Sequence, residues 1–256
     1  MPEQHQLIAK TFAGLEDILA QELKSVGCEN VQPSKRAVEF SGDNEALYKA
    51  NYCCRTALRI LKTIKTFKAG NEDELYNGIA NMEWWEIFDV EDTFAIDSVV
   101  NSKFFRHSKY VALKTKDAVV DRFRKRFGER PSVNTEDPDV RINIRISNDE
   151  VTVALDSSGS SLHRRGYRTE TGPAPINEVL AAGLILLSGW KADCNFVDPM
   201  CGSGTILMEA AMLANDIPPG YYRDHFGFKN WNDFDSNLWE KVKAEAGSQM
   251  AEALTI

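Results

Sequence analysis

The chain has 256 residues, 43% of them hydrophobic and 10% aromatic, and a net charge of −8. This composition excludes a disordered chain and leaves room for two or three folded domains. The longest apolar stretch, 179–187, is too short to cross a bilayer, and the N-terminus lacks the basic and apolar regions of a signal peptide. The five cysteines form no Cys-x-x-Cys pair and no zinc spacing with histidine, so we expect a reduced, metal-free, cytoplasmic protein.

The first 66 residues alternate between the apolar spacing of strands and that of helices. Gly27 is a typical helix stop, and Asp43 is a typical N-cap. The resulting order is βαββαβ, which is a ferredoxin-like plan. Nothing in this unit points to catalysis, so we interpret it as a scaffold or adaptor. The predicted elements are strands at 6–12, around Val31, at 37–40 and at 57–66, and helices at 14–26 and 43–54.

Residues 67–158 form a second predicted unit with mixed helices and strands. Its last two strands make a hairpin that turns at Asn148 and Asp149. The neighbouring Trp84 and Trp85 cannot both project from one helical face, which favours core packing over a base-stacking platform. The predicted elements are helices at 72–82 and 109–127 and strands at 93–100, 141–147 and 150–156.

The basic residues of this second unit are concentrated in one segment. Between Lys103 and Arg130 there are ten basic residues and three acidic ones. For phosphate binding a local basic face matters more than the overall charge, although a solvated helix face remains the alternative. We expect RNA contacts on the polar side of the 109–127 helix and on one face of the strand that follows it. The candidates are Lys114, Lys116, Arg122, Arg124, Lys125, Arg126, Arg141 and Arg145.

Serine, glycine and proline residues mark residues 159–175 as a linker. It carries the run His163-Arg-Arg-Gly-Tyr-Arg, whose Arg164, Arg165 and Arg168 are further candidates for RNA contacts. His163 is interpreted as a hydrogen-bonded linker residue rather than as a general base. A strongly apolar helix is predicted at 176–189, with Leu180, Leu184 and Leu187 on one side.

Residues 195–213 read as a strand, a tight turn and a helix. Open α/β sheets bind nucleotide-like ligands at such a turn, and Asp198 is placed to accept a hydrogen bond from a ligand amine. A dinucleotide site would need a third glycine where Leu207 stands, and a P-loop would need a lysine after Gly204. Both of these alternatives fit the sequence poorly.

The octet Asp198-Pro-Met-Cys-Gly-Ser-Gly-Thr resembles motif I of S-adenosylmethionine-dependent methyltransferases, most closely those that methylate exocyclic amines of nucleobases. The resemblance implies that Asp198 faces the methionine amino group and that the turn passes close to the cofactor. The implied cofactor contacts are Asp198, Pro199, Cys201, Gly202, Ser203 and Gly204.

The middle unit resembles a THUMP domain, an RNA-binding module of tRNA- and rRNA-modifying enzymes. This resemblance rests on the basic helix, on the strand Asp139-Val-Arg-Ile-Asn-Ile-Arg and on the run Ala154-Leu-Asp-Ser-Ser-Gly. From about residue 7 to 246 the chain is similar to the N-terminal part of the bacterial large-subunit rRNA guanine-N2 methyltransferase L family. The similarity implies S-adenosylmethionine as methyl donor and a guanine amine of 23S-type rRNA as acceptor. Its further pieces are Phe12-Ala-Gly-Leu-Glu, Ala174-Pro-Ile, Ser188-Gly-Trp and Trp239-Glu-Lys-Val-Lys-Ala-Glu-Ala.

That family carries an Asn-Pro-Pro-Tyr motif on a later strand, and this sequence does not contain it. We therefore predict no catalytic residue within the chain. We expect the chain to be a fragment that ends inside a Rossmann-like methyltransferase domain, at 176–256, and to be inactive by itself. The alternatives are a THUMP-type tRNA guanine-N2 methyltransferase and a non-catalytic RNA-binding module. The predicted fold class is α+β followed by α/β. We expect no membrane or metal partner, and the sequence does not determine the oligomeric state.

Overall fold

The computed structural model describes residues 3–168, 175–248 and 250. The chain divides into two compact units, of which the first comprises 1–60, 161–225 and 235–256 and the second comprises 61–160 and 226–234. The predicted domain boundaries at residues 66, 158 and 175 stay predictions. The Gly172-Pro-Ala-Pro part of the linker, including the Ala174-Pro-Ile piece, lies mostly outside the described residues.

In the first unit, the N-terminal segment has the predicted alternation of strands and helices. Its strands pair antiparallel in the order β2-β3-β1, and the register places Leu7 opposite Phe40 and Ala9 opposite Val38, all four buried. The Asp43 carboxylate accepts a hydrogen bond from the backbone N of Ala46 at 3.0 Å, which confirms the predicted N-cap. The elements are β1 (His5–Lys10), α1 (Glu16–Ser25), β2 (Glu29–Ser34), β3 (Ala37–Gly42) and α2 (Asn44–Cys53).

The second unit is a sheet with the strand order β4-β8-β7-β5-β6, covered by two helices. The predicted hairpin is confirmed, with β7 antiparallel to β8, while β5 runs parallel to β7. Along β7, Ile142, Ile144 and Ile146 are buried, and Arg141 and Arg145 lie on the other face. The elements are β4 (Arg59–Lys68), α3 (Glu72–Ala80), β5 (Thr93–Asn101), α4 (Ser108–Phe127), β6 (Ser132–Val133), β7 (Val140–Ser147) and β8 (Glu150–Asp156).

Aromatic side chains supply much of the core of this second unit. Trp84 is fully buried and donates its indole N–H to the carbonyl of Ile79 at 3.0 Å. The later segment 226–234 adds Phe226, Phe228 and Trp231, all buried. The backbone N of Phe228 donates to the carbonyl of Ser157 at 3.0 Å. Core packing is thus the role of Trp84 and of the later aromatic segment.

In the C-terminal part of the first unit, the described residues form the helices α5 (Glu178–Ser188), α6 (Thr205–Ala214) and α7 (Ser236–Gly247). The strand predicted at Phe196 and Val197 was wrong, because this segment is irregular and Val197 is 79% exposed. A parallel strand forms only when neighbours pair its backbone groups, and residues 175–248 contain no strand to do so. On α5, Leu180, Leu184 and Leu187 lie exposed, whereas Val179 and Ile185 are buried. Within the described residues, no helix is both long and apolar enough to span a membrane.

Candidate cofactor turn and basic surface

The turn between Asp198 and Thr205 leads into the N-terminus of α6. The Asp198 carboxylate accepts a hydrogen bond from the backbone N of Met200 at 3.0 Å, and Gly204 N donates to the carbonyl of Cys201 at 2.8 Å. Gly202 and Gly204 have φ of +53° and +74°, which side chains with a Cβ rarely adopt. A Cβ built on either glycine meets nothing within 4 Å. These glycines are thus required by backbone conformation, and the space beside them is open to a ligand.

Thr205, the first residue of α6, is buried and tied to the linker. Its hydroxyl accepts a hydrogen bond from Nη2 of Arg168 at 2.6 Å. The Nε of Arg168 lies 2.6 Å from a carboxylate oxygen of Glu178, at the start of α5. One arginine therefore joins the two helices that precede and follow the cofactor turn.

A second buried cluster surrounds Glu209, one turn further along α6. The Glu209 and Arg165 side chains are 0% and 2% exposed, and their nearest charged atoms lie 3.3 Å apart. The hydroxyl of Tyr167 donates to the same carboxylate at 3.1 Å. Arg165 also donates to the carbonyls of Leu162, at 3.0 Å, and Arg55, at 2.5 Å. Burial, reinforced by the Glu209 charge, raises the pKa of Tyr167 above its usual range, so its hydroxyl stays a donor.

The linker arginines differ in what they can contact. Arg164 is exposed and Arg168 is half-buried beside Glu178, whereas the guanidinium of Arg165 is buried beside Glu209. As a predicted RNA contact, Arg165 is therefore corrected, because a buried and paired guanidinium cannot reach a phosphate, while the contacts of Arg164 and Arg168 stay predictions. The sequence signal for these pairs is the single acidic residue in each of the apolar helices α5 and α6, since an unpaired charge is costly to bury.

His163 is half-buried in the same segment. Its Nδ1 lies 2.8 Å from the hydroxyl of Ser161. Burial lowers the pKa of His163. A neutral imidazole bonded to a neighbouring serine agrees with the interpretation of this histidine as a linker residue.

Several of the predicted RNA contacts on α4 are engaged by acidic neighbours. Lys116 lies 2.6 Å from Asp117, and Arg124 lies 3.5 Å from Asp121. Lys114 lies 3.9 Å from Asp73. These salt bridges are on the protein surface and are individually weak, so they do not prevent the lysine and arginine side chains from contacting phosphates.

The end of α4 carries two arginines that lie over Trp85. The guanidinium carbons of Arg122 and Arg126 lie 4.9 and 5.6 Å from the centre of its ring. Lys125 is exposed between them. Trp85 is thus covered by two arginines of α4 rather than presented as an open ring.

The predicted second row of contacts lies on β7. Arg141 is held 3.3 Å from Asp97 on the neighbouring strand, whereas Arg145 is exposed. Both side chains project from the same face of the sheet, as their spacing predicted. The described residues contain no group of three or more histidine, cysteine, aspartate or glutamate side chains that could hold a metal ion.

Three family models match consecutive parts of the chain. The RlmL ferredoxin-like domain matches residues 6–61, the THUMP domain matches residues 69–156, and the RMKL-like methyltransferase domain matches residues 165–255. Together these matches cover most of the chain in the order that the sequence predicted.

Solved structures match the same arrangement. A predicted N6-adenine-specific DNA methylase from Listeria monocytogenes is 31% identical, with a TM-score of 0.85 over 97% of this chain and 65% of its own. SMU.472, complexed with SAH, is 34% identical, with a TM-score of 0.85 over 100% of this chain and 67% of its own. A possible methylase from Clostridium difficile 630 is 32% identical, with a TM-score of 0.85 over 98% and 66%.

This chain therefore spans about two thirds of the length of the structures that it matches. TrmN from Thermus thermophilus, at 19% identity and a TM-score of 0.64, shares the fold alone. The domain matches and the similarity to SMU.472 agree with the geometry of the turn and with the two predicted domains before it. The chain belongs to the RlmL-like family of THUMP-containing methyltransferases.

Proposed function

We propose that this chain provides the RNA-binding part and the beginning of the S-adenosylmethionine site of an RNA methyltransferase. The enzyme methylates the exocyclic N2 of a guanine in large-subunit rRNA. The observation that carries the proposal is the open turn from Asp198 to Thr205, with its two positive-φ glycines. SMU.472, which matches along the whole chain, is complexed with SAH, the demethylated form of this cofactor. The proposed substrate places the enzyme in the cytoplasm.

The residues present fit such a cofactor. Gly202 and Gly204 leave space for a ligand against the backbone, and a Cβ at either position would occupy that space. One carboxylate oxygen of Asp198 is used by the backbone N of Met200, and the other is available for the amino group of the methionine moiety. Pro199, Cys201 and Ser203 complete the turn. When bound, S-adenosylmethionine supplies an electrophilic methyl group.

The protein's share of this chemistry is binding and positioning. Transfer forms a bond between the guanine nitrogen and the methyl carbon, breaks the bond from that carbon to sulfur, and releases one proton from the amine. Such a reaction needs the nitrogen aligned with the methyl group and a target base that has left its stack. In this proposal the turn holds the methyl donor, and exposed basic side chains such as Lys125, Arg145 and Arg164 hold the RNA backbone.

A methyl-transfer assay tests this proposal. The protein expressed from its complete reading frame is given labelled S-adenosylmethionine with protein-free large-subunit rRNA, bulk tRNA or DNA. We expect label in the rRNA alone, recovered as N2-methylguanosine. Label only in tRNA would overturn the substrate, and label only in DNA would favour the activity in the Listeria protein's description. RNA binding without methyl transfer to any substrate would indicate a non-catalytic RNA-binding module.

An Asp198→Asn variant tests the cofactor site within the same assay. The substitution keeps the size of the side chain but removes its charge. A hydrogen bond to a charged group contributes about 1.5–3 kcal/mol, so the KM for S-adenosylmethionine should rise about ten- to 150-fold. RNA affinity should stay as in the wild type. An unchanged KM would remove Asp198 from the cofactor site.

A further inference from the structure

The segment between β5 and α4 presents an aromatic ring to solvent. In this segment, residues 102–107, which we name the Phe104 loop, Phe105 is buried while the Phe104 side chain is 58% exposed. Exposed phenylalanines occur singly on many surfaces and need a second feature before they indicate a site. The Phe104 loop has two such features, which are an ordered backbone and a one-signed charge.

The backbone of the Phe104 loop is fixed by hydrogen bonds to one serine. The hydroxyl oxygen of Ser102 accepts from the backbone N of Phe104 at 3.0 Å and from that of Phe105 at 3.4 Å. The same hydroxyl donates to the carbonyl of Asn148 in the turn of the hairpin. Asn148 N in turn donates to the carbonyl of Asn101 at 2.8 Å. The Phe104 loop is therefore an ordered turn that leaves the ring exposed to solvent.

The residues that flank Phe104 in sequence carry charge of one sign. Residues 98–116 contain five basic residues and no acidic one. Lys103, Arg106 and Lys109 are all exposed. Among the residues that the structure describes, none of these three forms an ion pair, unlike Lys116 or Arg124 further along α4. Three exposed cations close in sequence to an exposed aromatic ring complement a polyanion with flat apolar groups, which is the chemistry of a nucleic acid strand.

Two other rings near the basic helix, Trp85 and Phe127, are less suited to stacking. Two arginines already lie over Trp85. Phe127 packs edge-on against Trp85, with ring centres 5.8 Å apart. Phe104 has no ring or cation against it among the described residues, and its side chain is 58% exposed.

We propose that the Phe104 loop binds an unpaired nucleotide of the RNA substrate. The base stacks on Phe104, and Lys103, Arg106 and Lys109 contact the adjoining phosphates. This inference rests on the proposed function and adds to it the kind of RNA that is recognised. In an RNA duplex the base faces are covered by their neighbours, so only a loop, bulge or end can offer one.

The experiment measures the affinity of the present chain for two RNAs by fluorescence anisotropy. One is a single-stranded oligonucleotide, and the other is a blunt duplex of the same length at the same salt concentration. The variants are Phe104→Ala, Phe104→Leu and Phe104→Tyr. Leucine keeps an apolar surface without a ring, and tyrosine keeps the ring. Because the side chain is exposed, all three should show the wild-type circular dichroism spectrum and melting temperature.

We expect the alanine and leucine variants to bind the single strand about five- to 150-fold more weakly than the wild type. The tyrosine variant should stay within about twofold of the wild type. Binding to the duplex should change by less than about twofold in every variant.

Three results would overturn the inference. If the wild type binds single strands and the leucine variant binds them equally well, the Phe104 loop is not a stacking site, while the proposed function stands. If the wild type binds neither RNA, the RNA-binding part of the proposed function fails with it. If sedimentation shows that Phe104→Ala dissociates a dimer and leaves RNA affinity unchanged, the ring is a contact between copies of the chain.

Discussion

Removing the carboxylate of Glu209 should strongly destabilise the first unit. In a Glu209→Leu variant the guanidinium of Arg165, which is 2% exposed, would keep its two carbonyl partners but lose its counter-charge. The hydroxyl of Tyr167 would lose its acceptor at the same time. Breaking a buried ion pair from one side costs about 3–5 kcal/mol, because the remaining charge stays away from water. A typical domain is stable by only about 5–15 kcal/mol.

The double variant Arg165→Met, Glu209→Leu separates the cost of the stranded charge from the worth of the pair. Replacing both members of a buried ion pair with apolar groups is often close to neutral. We therefore expect the double variant to regain at least half of the stability that the single variant loses. Glu240→Gln is the control, because its bridge to Lys243 lies on the surface and should contribute less than about 1 kcal/mol.

Urea denaturation followed by far-ultraviolet circular dichroism measures these differences. The expected order of midpoints is wild type and Glu240→Gln highest, the double variant next, and Glu209→Leu lowest. A Glu209→Leu midpoint equal to that of the wild type would show that Arg165 reaches solvent, contrary to the structure. A double variant no more stable than the single one would show that the cost arises from packing rather than from charge.

Further substitutions, a thiol reaction and a pH dependence test separate parts of the structure. Gly166→Ala should prevent stable folding, because φ is +93° and a Cβ would overlap a backbone carbonyl. Gly189→Ala is the matched control: φ is +75° but the space beside it is open, so the free energy of unfolding should fall by only about 1–2 kcal/mol. Thermal melting measures both variants. Burial raises the pKa of Cys53 to about 11, so at pH 8 its thiol should react with a thiol reagent far more slowly than the exposed Cys194. The pKa of Cys53 in the folded protein is above the usual value of 9.0, so the folded state holds the thiol proton more tightly than the unfolded state. The stability that this difference contributes should be lost as the pH rises from 9 through 11. Urea denaturation midpoints across that pH range would measure the loss. Lys125→Glu should weaken RNA binding and flatten the dependence of log affinity on log salt, and an unchanged slope would make Lys125 a merely solvated base.

Local sequence patterns predicted most of the fold. The spacing of apolar residues placed the helix from Ser108 to Phe127 within one residue of its start, and the Asn148-Asp149 turn fixed the hairpin. These features depend on neighbours in sequence. The strand predicted at Phe196 and Val197 failed because a strand depends on partners distant in sequence, and residues 175–248 supply none. The glycine turn was predicted because its φ values depend on two glycines and little else.

The candidate site was predictable only in part, for a related reason. Counting charges assigned Arg165 and Arg168 to RNA together with Arg164, since all three lie in one basic run. The partners that decide their roles, Glu178 and Glu209, lie on helices 10 and 44 residues further along the chain. Each is the one acidic side chain of an otherwise apolar helix, where an unpaired charge would be costly to bury.

Two linker arginines connect the helices on either side of the cofactor turn. Arg168 connects Glu178 on α5 with Thr205 on α6, and Arg165 fixes Glu209 one turn later. The turn between the helices is thereby held at its α6 end by charge-assisted contacts, which are stronger than neutral hydrogen bonds. A basic run beside a ligand site can thus serve the site's geometry rather than bind the substrate. Burial and the partner of each arginine distinguish the two roles: Arg165 is buried beside Glu209, Arg168 is half-buried beside Glu178, and Arg164 is exposed.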